Sequence, residues 1–242
     1  MSEFILDLQQ VSLQVPNVSE PILADIHYSI APHDFVLILG SNGSGKSSLL
    51  KLLSRQYQST HGAIYLTGKN INQFSPNDYS RRVRMLTQNC NESLFVSLTV
   101  YENFLLFSNK KSDKKDRSFF MKYISDFNPS LANRLDQPVQ FLSGGEKQAL
   151  ALALTLLHPP EILLLDEHTS ALDPKTAAQI MTLTCQMATR YKITCLLTTH
   201  NMEMAQQYGN RILALKQGKI YRMIESHTEA NMNSADIISA CF

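Results

Sequence analysis

The stretch that most restricts this chain is Gly40-Ser41-Asn42-Gly43-Ser44-Gly45-Lys46-Ser47, which fits G-x-x-x-x-G-K-[ST]. It follows Phe35-Val36-Leu37-Ile38-Leu39, a continuous apolar run suited to a strand buried on both faces. It precedes Leu49, Leu50, Leu52 and Leu53, whose spacing predicts a helix over 47–53. Strand, glycine-rich loop and helix in that order make a cradle for phosphate. The glycines let the backbone curl so that successive N–H groups point inward, and the helix N-terminus adds partial positive charge. Lysine at this spacing reaches the β- and γ-phosphates of a nucleotide, and the hydroxyl after it is a magnesium ligand. The candidate nucleotide-binding residues are Gly40, Ser41, Asn42, Gly43, Ser44, Gly45, Lys46, Ser47 and Ser48.

A second apolar run, Ile162-Leu163-Leu164-Leu165, ends in Asp166-Glu167. Successive strand residues face opposite sides, so the two carboxylates leave the strand tip in different directions. Asp166 suits magnesium, and Glu167 suits accepting a proton from, or orienting, an attacking water. A strand-end acidic pair is weak evidence by itself and gains weight beside the phosphate loop.

The remaining organisation is α/β. Residues 4–15 and 22–30 read as N-terminal strands, 64–66 as a short strand before Thr67-Gly68, and 193–198 as a further buried strand. Helices are expected over 149–157 and 176–188, and the alternation indicates a parallel core. Residues 88–142 differ: they carry a mixed charge run at 110–117, Pro129, Pro138 and helical spacing of Phe119, Tyr123, Ile124 and Phe127. We expect one domain over 1–242, with core and β subdomain in 1–87 and 143–242 and a helical insertion in 88–142.

Composition narrows the function. The 242 residues are 44% hydrophobic, enough for a sizeable core, and the net charge of +1 argues against nucleic-acid binding driven by bulk charge. Cys90, Cys185, Cys195 and Cys241 form no C-x-x-C pair, so neither zinc nor a disulfide framework is suggested. With no signal-peptide pattern and no spanning apolar stretch, a cytoplasmic location is expected.

The third motif is Leu142-Ser143-Gly144-Gly145-Glu146-Lys147-Gln148. A Ser-Gly-Gly start to a helix turns amides and a hydroxyl toward an anion. The order of phosphate loop, Gln88, this motif, Asp166-Glu167, Ser170-Ala171-Leu172-Asp173 and His200 resembles ABC ATPases over nearly the whole chain. The resemblance implies a RecA-like P-loop core with an N-terminal antiparallel β subdomain and a helical insertion. It implies ATP and Mg2+ as ligands, with Ser47, Gln88 and Asp166 on the metal and Glu167, His200 and Gln88 catalytic. Ser143, Gly144, Gly145 and Glu146 would meet the γ-phosphate held by a second copy, and Asp173 would lie in the loop between copies. Partners so implied are transmembrane permease subunits, a second copy and, indirectly, a substrate-binding protein, at the cytoplasmic face of the inner membrane.

Three departures stand out. His168 replaces the proline usual after the catalytic glutamate, Ala149 follows Gln148 where arginine is common, and no aromatic or histidine lies between Phe4 and His27 to stack on adenine. Residues 131–148, 166–177 and 199–211 are similar to one bacterial subgroup serving binding-protein-dependent importers, often of amino acids; His168 belongs to that subgroup's pattern. The alternatives are an exporter subunit, a non-transport ABC ATPase in chromosome maintenance or translation, and a small-molecule P-loop kinase. The non-transport enzymes carry long coiled coils or tandem cassettes, and the kinase has no use for residues 143–146. After Gln88, the stretch Leu94, Phe95, Val96, Leu98, Val100, Tyr101 and Phe104 is expected to be half core and half exposed patch, where the family receives a permease helix. A helix is a candidate for 225–242.

Overall fold

The computed structural model describes residues 3–15, 20–108, 116–201, 204 and 207–225. Most of the charge run, four residues of the loop expected near adenine, four of the 199–211 stretch, and the tail from 226 lie outside the described residues. In chain order the elements are β1 (Leu6–Leu13), β2 (Leu23–Ile30), β3 (Phe35–Leu39), α1 (Lys46–Leu53), β4 (His61–Leu66), β5 (Lys69–Asn70), α2 (Pro76–Arg82) and β6 (Val83–Leu86). There follow α3 (Val100–Phe107), α4 (Arg117–Ser125), α5 (Pro129–Ala132), α6 (Gly144–Leu156), β7 (Ile162–Asp166), α7 (Pro174–Tyr191), β8 (Thr194–Thr199), β9 (Arg211–Lys216) and β10 (Lys219–Glu225).

The chain forms two compact units. One takes the described parts of 1–85, 160–167 and 188–242; the other takes those of 86–159 and 168–187. The second therefore holds the described residues of 88–142 together with α6 and 168–187.

The first unit contains both sheets. One is antiparallel in the order β2-β1-β4-β5; the other runs β10-β9-β3-β8-β7-β6. β3 pairs in parallel with β8 and β9, β7 pairs in parallel with β8, and β10 closes an edge antiparallel to β9. These are the antiparallel β subdomain and RecA-like core expected from the sequence. In β1 the apolar phase slips between Leu8 and Val11. A bulge absorbs the slip: Gln10 has φ 52°, the register shifts there, and Leu6, Leu8, Val11 and Leu13 all stay buried. Gly62 on β4 is required opposite, because a Cβ there would run into the Gln10 carbonyl. The core joins these residues to Leu49, Leu50 and Leu53 of α1 and to Val36, Ile38, Ile162, Leu164 and Leu196 of the parallel sheet.

The second unit is helical. Phe104 of α3 stacks on Phe120 of α4 at 4.8 Å between centroids, and Tyr123 meets Phe104 edge-on at 6.0 Å. Of the seven apolar residues after Gln88, Leu94, Val100 and Phe104 are buried, Val96, Leu98 and Tyr101 are half-buried, and Phe95 is 53% exposed.

Candidate functional site

Parallel register brings the candidate residues of the first unit to the C-terminal ends of neighbouring strands. Leu39 pairs with Thr199, and Asp166 with Thr198, so β3, β7 and β8 end at the same level. The phosphate loop, Asp166-Glu167 and His200 leave from those three ends.

The loop is shaped for an anion. Gly45 has φ 104° and Gly43 φ 82°, in the left-handed region, and a Cβ at Gly43 would meet nothing within 4 Å. α1 starts with no side-chain cap and no acidic residue in its first turn, whereas α3 and α6 each begin with a complete capping box. Lys46 is buried to 6% exposure, and its Nζ donates to Gly40 O at 2.8 Å and Ser41 O at 3.2 Å. Ser44 Oγ is buried without a partner. Uncapped amides, a folded-back lysine and an orphaned hydroxyl fit the phosphates of a nucleotide.

The two carboxylates are held differently. Asp166 Oδ1 accepts from Ser47 Oγ at 2.9 Å and from Thr198 Oγ1 at 2.7 Å. Glu167 places Oε1 3.9 Å from Lys46 Nζ and Oε2 3.6 Å from His200 Nδ1. Its backbone is strained at φ 45° and is held there by N–H bonds to Thr198 O at 3.2 Å and Thr198 Oγ1 at 3.0 Å. Among the described residues no three His, Cys, Asp or Glu side chains cluster to hold a metal. Nucleotide-bound magnesium needs only one or two protein ligands besides phosphates and water, so adjacent Ser47 and Asp166 fit it.

In the second unit, Gln88 Nε2 donates to Ser170 Oγ at 2.9 Å. Ser143 caps α6 and shares a capping box with Glu146. A Cβ at Gly145 would lie 2.5 Å from Thr176 Cγ2, so this glycine also lets α7 approach α6 closely. Gly144 has its nearest neighbour in Leu172 Cδ2, 3.0 Å from a built Cβ. Asp173 accepts the Thr176 amide at 3.1 Å, and hydrogen bonds from the Thr176 side chain and backbone hold its carboxyl below the usual range. A cavity of about 370 Å³ opens beside Ser143, Gly145, Glu146, Thr176 and Ile180.

The sequence profile of the ABC transporter family matches residues 23–170. The chain belongs to that family. It is an ATP-binding subunit, and its activity is that of an ABC ATPase. Over 244 residues it is 33% identical to the tyrosine transport ATP-binding protein of Clostridioides difficile, covering 97% of each chain. It is 34% identical to the methionine import ATP-binding protein MetN 2 of Oenococcus oeni, over 91% of this chain but 64% of that longer one. By fold it resembles cbiO1 from Clostridium perfringens, part of the transporter complex cbiONQ, with a TM-score of 0.83 at 23% identity over 98% of this chain and 92% of that one. It also resembles the ATP-binding cassette MJ0796, solved as a dimer in a post-hydrolysis state with ADP and Pi, with a TM-score of 0.76 at 25% identity over 91% and 98%.

The most visible departure of this ABC ATPase from its family has a packing explanation. His168 is 2% exposed, with Nε2 3.2 Å from Thr184 Oγ1. That hydroxyl gives its one proton to Ile180 O at 2.8 Å, so Nε2 carries the imidazole proton and donates, and Nδ1 is a buried acceptor without a partner. Burial pushes the imidazole pKa down to about 4, so the ring is neutral at physiological pH and packs as a core residue.

Sequence reading missed three supports of the site. Thr198 sits in an apolar strand, where threonine fits by shape whether or not its hydroxyl is used. Ser170 was noted only as part of a motif, not as the partner of Gln88. Arg134 lies in a turn without periodicity, yet its Nη1 donates to Glu146 Oε1 at 3.0 Å.

Proposed function

We propose that this ABC ATPase energises a membrane permease that imports a small solute of the amino-acid class. The reading rests on the convergence of Lys46, Ser47, Asp166, Glu167 and His200 at the ends of β3, β7 and β8, with an amino-acid solute supported by the tyrosine transport relative and import by the methionine import relative. Residues 40–48 cradle the ATP phosphates, and Lys46 swings from the Gly40 and Ser41 carbonyls to the β- and γ-oxygens. Magnesium, held by Ser47 and Asp166, would neutralise charge developing on the phosphates. Glu167 takes the proton of the attacking water, and His200, with Nδ1 3.6 Å from Oε2, orients that carboxylate. Ser143, Gly144 and Gly145 of one copy face the γ-phosphate bound by another, with Glu146 behind them in the capping box and Asp173 in the loop between copies. ATP closes the pair and hydrolysis reopens it.

Residues 88–142 are the insertion that faces the permease, and Phe95 is one of its exposed apolar residues. No described helix is long and apolar enough to cross a membrane. In this reading the subunit sits on the cytoplasmic face of the inner membrane through its permease, with a substrate-binding protein delivering solute on the other side. Reconstitution of the subunit with its co-purifying permease tests this. ATP enclosed with the subunit should drive amino-acid uptake that depends on a loaded binding protein; ATP-driven efflux would overturn the import assignment.

A further inference from the structure

The start of α6 carries a charge conflict. Ser143 Oγ accepts the Glu146 amide at 3.3 Å, and Glu146 Oε2 accepts the Ser143 amide and hydroxyl, each at 3.0 Å. If Ser143 meets a phosphate bound by a second copy, as proposed above, a carboxylate stands directly behind that contact. Like charges a few ångströms apart oppose approach. Glu146 does not escape by protonation. Burial favours its neutral form, but hydrogen bonds from Ser143 and Ser130 and the charge of Arg134 outweigh burial and hold its carboxyl below the usual range.

The carboxylate divides its work between two oxygens. Oε2 serves the cap. Oε1 accepts Ser130 Oγ at 2.9 Å and Arg134 Nη1 at 3.0 Å. Glu146 is largely buried, with 12% side-chain exposure, and Arg134 is the cation within ion-pair distance of it among the described residues. Arg134 comes from the turn after α5, where its amide bonds to Leu131 O and its carbonyl accepts the Gln137 amide. The guanidinium meets Oε1, the Glu146 oxygen that Ser143 does not use.

We propose that Arg134 is a positioning residue for the intermolecular phosphate contact. It cancels the Glu146 charge through Oε1, so that the Ser143 hydroxyl, which donates to Oε2, can turn to an anion without leaving an uncompensated carboxylate behind it. This inference rests on the reading that Ser143 faces a phosphate held by a second copy.

The test uses the full chain carrying Glu167→Gln, with dimerisation followed by light scattering as ATP is raised. Arg134→Met in that chain should increase the ATP needed for half-dimerisation roughly tenfold or more, since two such sites close together. ATP affinity of the dilute monomer should stay within about twofold, because the pair lies outside the chain's own phosphate loop. Arg134→Lys should retain most dimerisation. Adding Glu146→Gln to Arg134→Met should restore it, because without the carboxylate no countercharge is needed. A purely structural role for Arg134 would not be rescued this way. Dimerisation of Arg134→Met at the parent's ATP concentration, or failure of Glu146→Gln to restore it, overturns the role of Arg134 alone. Failure of the Glu167→Gln parent to dimerise with ATP overturns the two-copy site itself, and this inference with it.

Discussion

Thr198 is the residue through which the two carboxylates are coupled. One hydroxyl donates to Asp166 Oδ1 at 2.7 Å and accepts the Glu167 amide at 3.0 Å. Thr198→Val keeps the strand shape and removes both bonds. We expect turnover to fall about ten- to a hundredfold, as for other supporting partners of a metal site, with melting little changed. Steady-state ATPase and thermal melting on the same preparation check this. His168 makes the opposite kind of prediction. Its folded pKa of about 4 lies below the unfolded value of 6.5. The unfolded chain therefore binds the proton first as pH falls. The residue's contribution is intact above pH 6.5 and is lost progressively toward pH 4, by roughly 3 kcal/mol in total. Urea unfolding from pH 7 to 4 should show a steeper fall for wild type than for His168→Leu; parallel curves would contradict the buried neutral ring. The absence of any aromatic or histidine between Phe4 and His27 bears on base recognition. Stacking on an aromatic is worth about 1–3 kcal/mol, so ATP and GTP should bind within about tenfold of each other and Val15→Tyr should favour ATP. Strong ATP preference unchanged by the added ring would show recognition by another group.

Among the elements, β3, β7 and β8 were legible because strands buried on both faces read as unbroken apolar runs. The β9–β10 hairpin was not anticipated. Ile212 to Leu215 is equally apolar and buried, but the clearest sign of a hairpin is the Gln217-Gly218 turn, with φ 48° and 75°. Gly218 is fixed there for a second reason, since a Cβ would run into the Ile22 carbonyl. α6 was expected from 149 and starts at Gly144, because the helix begins at the Ser143–Glu146 capping box ahead of its apolar face. The ligands of the phosphate loop were legible as a motif. The supports of Glu146 and Gln88 were not, because Arg134 and Ser170 lie 12 and 82 residues from their partners. Gly145 carries two demands that can be separated. Gly145→Ala should cost about 1–3 kcal/mol by pushing on the Thr176 methyl, and Thr176→Ser in that variant should recover most of it. Turnover should stay low in the double variant if the Gly145 backbone must also approach a phosphate. Recovery of both together would make Gly145 a packing residue alone.

At the scale of the whole molecule, the proposed reaction needs two copies. In it the phosphate loop, Asp166, Glu167 and His200 would bind ATP and carry the reaction, and Ser143 and Gly145 would act on nucleotide held by the other copy. A variant at the first group and a variant at the second should therefore fail in different ways. Ser143→Arg should bind ATP near normally and not turn over, because its bulk and charge block closure. The most direct measurement is the solution mass of Glu167→Gln by light scattering, with and without ATP, alongside its ATPase rate. Turnover should fall by about two orders of magnitude or more, and the chain should be a monomer without nucleotide and a stable dimer with ATP that Ser143→Arg abolishes. A Glu167→Gln chain that binds ATP yet stays monomeric, or that hydrolyses it at the wild-type rate, would contradict the proposed reaction.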